Sequence, residues 1–110
     1  MSYADAERAG AVGTGCTWRS GSDRKARLSM ADDRAAVRRD GVIVALKPAV
    51  GAQALFFTYD RWAGGGISIL VRDSGKVVRR GHEFTETVAQ LYIVKNGRMQ
   101  PFLGWLNCGT

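Results

Sequence analysis

Ala35-Ala36-Val37-Arg38-Arg39-Asp40-Gly41-Val42-Ile43-Val44-Ala45-Leu46 decides the fold. Two runs able to extend as strands meet at Asp40-Gly41, a dipeptide that readily takes the positive φ of a tight hairpin. The same signal occurs twice more. Ser74-Gly75 separates Ile67–Arg72 from Lys76–Arg80, and Asn96-Gly97 separates Leu91–Lys95 from Arg98–Leu103, so three hairpins are expected. Ser20-Gly21-Ser22-Asp23 and Gly64-Gly65-Gly66 mark two further turns, the second with very little backbone restriction.

Period-two patterning supports strands. Ile67, Ile69 and Val71 share one face opposite Ser68 and Arg72, and Leu55, Phe57 and Tyr59 share another. Phe56 and Leu70 break strict alternation, which points to strands covered on both sides or curled into a small barrel. Segment 81–89, Gly-His-Glu-Phe-Thr-Glu-Thr-Val-Ala, leaves room for a short helical turn. With eight to ten short strands and no ten-residue amphipathic helix after Gly15, the expected class is all-β. Either a small antiparallel β-barrel or a two-sheet sandwich of about eight strands limits exposed strand edges.

A chain of 110 residues that is 45% hydrophobic can bury one core. Residues 1–13 read as a mobile lead-in with a short helical turn around Ala4–Ala9, and residues 14–110 as a single domain. Pro48 and Pro101 are the only prolines, and no repeat or linker divides the chain.

The two cysteines, Cys16 and Cys108, stand near the two ends of that domain. Closing a barrel brings the first strand beside the last, so the pair can form a disulfide linking them, with Trp18 and Trp105 packed around the bridge. Such a bridge belongs in an oxidising compartment, which implies a periplasmic or secreted protein. No export signal and no membrane-spanning run is legible, so that location implies a leader removed ahead of Met1. The alternative is two buried thiols in a cytoplasmic protein. A two-cysteine metal site is weaker than either, because His82 adds at most a third ligand.

Basic residues outnumber acidic ones by 16 to 10, a formal charge of +6. This draws anionic partners at long range without selecting among nucleic acid, lipid, polysaccharide and acidic protein. Arg24, Lys25 and Arg27 form one group, Arg34, Arg38 and Arg39 a second, and Arg79 and Arg80 a third. Trp18, Tyr59 or Trp62 could stack on bases or sugars beside them. Arg61-Trp62-Ala63-Gly64-Gly65-Gly66 is the other candidate, a tryptophan contact anchor beside a flexible turn.

Catalysis finds little footing. His82-Glu83-Phe84-Thr85-Glu86 would put His82 and Glu86 on one face of a helix, yet lacks the second histidine of a zinc-protease helix. The glycines at 10, 13 and 15 follow no strand and precede no Lys-Ser/Thr, which argues against a phosphate loop. The chain therefore reads as a non-enzyme with no catalytic residue, no metal and no cofactor.

The order Cys16, then Ala36-Val37-Arg38-Arg39-Asp40-Gly41 and Leu46, then Tyr59, Trp62 and Gly64, and finally Cys108, resembles the layout of the membrane-bound inhibitors of C-type lysozyme. The resemblance covers residues 14–72 and implies a small periplasmic barrel that docks on a protein. It departs where that family carries a Ser-Gly-x-x-Tyr loop, because this chain has Gly51-Ala52-Gln53-Ala54-Leu55 and no serine, so no inhibitory residue carries over. Lysozymes of that class are themselves basic and would repel a +6 chain on encounter, although Arg61 could enter a cleft holding two carboxylates.

The expectation is thus an extracytoplasmic binding module presenting loops near residues 20–25 and 60–66 to a protein or anionic polymer. Its candidate binding residues are Arg24, Lys25, Arg38, Arg39, Arg61, Trp62, Gly64 and Gly65. The alternatives are a structural subunit of a larger assembly, a lysozyme-inhibitor-like protein and a basic nucleic-acid-binding barrel. Oligomeric state is not legible.

Overall fold

A computed structural model describes residues 15–56 and 58–109, and within them the fold is all-β with no helix. The lead-in expected over residues 1–13 and the face position expected of Phe57 lie outside the described residues. Ten strands follow in order: β1 (Gly15–Ser20), β2 (Ala26–Ala31), β3 (Arg34–Arg39), β4 (Val42–Pro48), β5 (Ala54–Leu55), β6 (Thr58–Tyr59), β7 (Arg61–Gly64), β8 (Ile67–Arg80), β9 (Phe84–Lys95) and β10 (Arg98–Gly109). Eight of them close an antiparallel barrel in the order β1-β10-β9-β8-β7-β4-β3-β2, while β5 and β6 form a separate two-stranded hairpin.

The Asp40-Gly41 and Asn96-Gly97 hairpins form as the sequence requires. All four of these residues take positive φ: 51° and 76° in the first pair, 53° and 74° in the second. The turns at 20–23 and 64–66 also stand where expected, joining β1 to β2 and β7 to β8.

Ser74-Gly75 does something else. Gly75 has φ 76° while Ser74 keeps negative φ, so the chain bulges within β8 instead of reversing. The Asp73 carboxylate accepts the Gly75 amide at 3.0 Å and the Ser74 hydroxyl accepts the Lys76 amide at 3.1 Å. β8 then resumes its pairing with β9 at Val77↔Thr87. A two-residue hairpin needs positive φ at both centres or a glycine at the first, and a bulge needs only one left-handed residue. The reversal falls at residues 81–83, and the segment after it extends as β9, so no helical turn forms over 81–89.

Residues 55–59 are likewise not one strand. Phe56 takes φ 53° and is exposed, and β5 folds back on β6 with Ala54↔Tyr59 and Leu55↔Thr58 paired. This hairpin covers one end of the barrel. Leu55 and Tyr59 pack against the core, and the Thr58 hydroxyl donates to the Asp32 carbonyl at 2.8 Å, tying the cover to the β2–β3 turn.

The barrel interior is filled by side chains, as eight-stranded barrels of this size usually are. Trp18 and Trp62 are fully buried, ringed by Leu28, Met30, Val37, Ile69, Leu91 and Leu106. Trp18 donates its indole N–H to the Ala89 carbonyl at 3.2 Å, and Trp62 to the Tyr59 carbonyl at 2.9 Å. Gly104 makes room for the first of them: a Cβ there would stand 2.1 Å from the Arg19 carbonyl oxygen and 2.7 Å from the Trp18 ring. The seam between first and last strands is closed by backbone pairing from Gly15↔Gly109 to Ser20↔Gly104. It is locked by the Cys16–Cys108 disulfide between directly opposed residues whose Cα atoms lie 4.1 Å apart. Trp105 is not packed around that bridge. Alternation turns it outward between the buried or inward Gly104 and Leu106, and it is half-buried on the barrel surface.

Candidate functional site

Because every barrel neighbour is antiparallel, the connections divide between two ends. Residues 21–25, 40–41, 65–66 and 96–97 lie at one, and residues 32–33, 49–60 and 81–83 at the other. The second end is the one covered by the β5–β6 hairpin. The first is a mouth, where Trp18, Val37, Leu91, Ile93 and Phe102 line a cavity of about 320 Å³ together with Ser20, Ser22, Arg27, Arg38, Arg39 and Asp40.

The charges segregate in the same way. On the mouth loops and adjoining strand ends stand eight cations, Arg19, Arg24, Lys25, Arg27, Arg38, Arg39, Lys95 and Arg98, against Asp23 and Asp40. The other described residues carry seven cations and six carboxylates, so almost the whole positive excess sits at one end. Arg24, Lys25, Arg38 and Arg39 therefore converge, whereas Arg61, Arg79 and Arg80 do not. Arg61 begins β7 and Arg80 ends β8, both toward the covered end. Gly64 ends β7 and Gly65 opens the β7–β8 turn, across the mouth from residues 21–25.

Within the β1–β2 loop, Asp23 is the organiser. Its carboxylate accepts the Lys25 amide at 3.0 Å and pairs with the Arg27 guanidinium at 2.6 Å. The Lys25 backbone hydrogen bond above all, aided by the Arg27 and Lys25 charges, holds its carboxyl below the ordinary value against the opposing effect of burial. Arg24, at φ 57°, lays its guanidinium 4.2 Å from the Trp105 ring centre and so clamps the loop onto the outer face of β10.

Arg39 differs from these surface cations. Continuing the inward series Ala35, Val37, it turns into the mouth with its side chain only 25% exposed. Its Nε is buried and has no hydrogen-bond partner among the described residues. The nearest carboxylate oxygen, on the 90% exposed Asp40 side chain, is 4.0 Å away, outside hydrogen-bond reach. A buried donor left unpaired costs roughly 1–3 kcal/mol.

Two expectations need correction. Trp62 is wholly buried and its N–H is already used, so it cannot anchor a partner. Trp18 is buried as well and offers its ring only to the cavity floor. The aromatic group beside the basic loops is Trp105, which the strand alternation between Gly104 and Leu106 could have revealed. His82 and Glu86 also part company. His82 sits exposed in the 81–83 turn, while Glu86 is buried in β9, accepting Arg79 and Asn107, each at 3.2 Å. Among the described residues no group of three or more His, Cys, Asp or Glu side chains could hold a metal ion, and no helix is long and apolar enough to cross a membrane.

Comparison with family models, with curated proteins and with solved structures found no significant match to this chain.

Proposed function

We propose that this protein acts by association rather than catalysis, as a disulfide-locked binding module whose basic barrel mouth docks on an anionic polymer or an acidic protein face. The observation that carries this reading is the segregation of eight cations and two carboxylates to one end of the barrel. Such a field raises encounter rates and the local concentration of anions. The Cys16–Cys108 disulfide supports placement in an oxidising compartment, the periplasm or the exterior.

The test is affinity for inorganic polyphosphate as a function of salt. Binding that weakens linearly in log–log form is expected, and the Arg24→Gln/Lys25→Gln/Arg38→Gln variant should reduce the slope by roughly 2. An Arg79→Gln/Arg80→Gln control should change little. Equal losses in both variants, or no binding at low salt, would sink the reading.

A second reading, a subunit of a larger assembly, is favoured by one observation. Residues 98–103 of β10 extend beyond the pairing with β1 and expose Met99, Phe102 and Leu103 at 60%, 41% and 63%. Sedimentation that stays monomeric across a wide concentration range would count against self-assembly.

A further inference from the structure

The cavity at the mouth combines two features that the docking of a polymer on the outer rim does not use. Its floor is apolar: Trp18 spends its only N–H on the Ala89 carbonyl, and Val37, Leu91 and Ile93 add no polar side-chain atom. Its wall holds a guanidinium whose buried Nε has no partner among the described residues. Arg27, also on the wall, is already paired with Asp23. The rim is polar and open, with the Ser20 and Ser22 hydroxyls 2.9 Å apart and Asp40 in solvent.

We infer that this mouth binds a small amphipathic anion, an unbranched apolar chain ending in a carboxylate or phosphate, with the chain on the Trp18 floor and the head group on Arg39. The volume of about 320 Å³ lies at the small end of ligand sites, which run from roughly 300 to 1,000 Å³. Of its eleven lining residues five are apolar and six polar or charged, with Trp18, Val37, Leu91 and Ile93 forming the floor. A guanidinium fork suits either head group, since both present two oxygens to parallel N–H donors. The site shares Arg39 with the basic mouth, but its apolar floor plays no part in polymer docking, so it stands whether or not the outer rim binds a polyanion.

The experiment is isothermal titration of the full chain with octanoate, octyl phosphate, octanol and acetate, followed by carboxylates of increasing length. One-to-one binding of octanoate or octyl phosphate is expected, and the tighter of the two identifies the head group. Each added methylene should raise affinity about fourfold until the cavity is full. Octanol and acetate should each bind at least tenfold more weakly. Arg39→Met should weaken anion binding on the order of 10- to 100-fold. Ser22→Glu, on the exposed rim, should weaken octanoate several-fold more than it weakens octanol, whereas Arg61→Gln at the far end should do nothing. Octanol binding as tightly as octanoate, affinity indifferent to chain length, or no saturable binding would each overturn the inference. Should Arg39→Met fail to fold, the octanol comparison and Ser22→Glu decide the matter alone.

Discussion

Replacing both cysteines, Cys16→Ala with Cys108→Ala, should cost the protein a large part of its stability while leaving its native shape unchanged. The bridge spans 92 residues, and removing a cross-link of that length returns about 4 to 5 kcal/mol of entropy to the unfolded chain. For a domain of this size each kcal/mol is worth about 4–8 °C, so the melting temperature should fall by roughly 16 to 40 °C. The native barrel has no need of the bridge for its geometry, because β1 and β10 are paired at six positions from Gly15↔Gly109 to Ser20↔Gly104. Urea unfolding of the parent and the variant would measure the difference. The variant should also show a steeper denaturant dependence, since its unfolded state exposes more surface. Near-UV circular dichroism, reporting buried Trp18 and Trp62, should be preserved at low temperature. A loss below about 1 kcal/mol would refute the loop-entropy reasoning. So would a variant that is compact but lacks native tryptophan signals.

Gly104→Ala should destabilise by about 1–3 kcal/mol and shift tryptophan emission, because its Cβ would strike backbone at Arg19 and the Trp18 ring. Calorimetry and fluorescence would show it. Gly75→Ala meets no atom within 4 Å and suffers only from its φ of 76°, so it should cost about 1–2 kcal/mol with emission unchanged. Asp23 titrates below its ordinary 3.8 in the folded protein. Its contribution is therefore present above that pH and lost as pH falls through the lower folded value. The Lys25 amide resonance should move in that acid window, and Asp23→Asn should abolish the movement.

The turns were legible where the dipeptide itself supplied two residues tolerant of positive φ. Asp40-Gly41 and Asn96-Gly97 meet that condition, and both became hairpins. Ser74-Gly75 does not, since serine accepts the left-handed region poorly. Its glycine alone could only bulge a strand held straight by the β9 ladder. That ladder is a tertiary fact, invisible in residues 73–80. Phe56 hid its turn for the opposite reason: an aromatic residue at φ 53° has no turn signature.

At the site, the two basic groups were legible but their meeting was not. Arg24 lies in the β1–β2 loop and Arg38 near the end of β3, and the antiparallel pairing of β1 through β4 is what brings both to one rim. The distinction between Arg38 and Arg39 was available from alternation, because Arg39 falls in step with the buried Ala35 and Val37. The burial of Trp62 was harder to see, since Arg61 and Gly64 beside it both look like surface.

The most direct test of the account is an amide-resolved NMR titration of the full chain with inorganic polyphosphate at low salt. Shifts gathered at residues 19–27, 38–41 and 95–98, and silent at 61 and 79–86, are the predicted result. Shifts centred on the covered end, or spread evenly over both ends, would contradict the basic mouth as the binding surface.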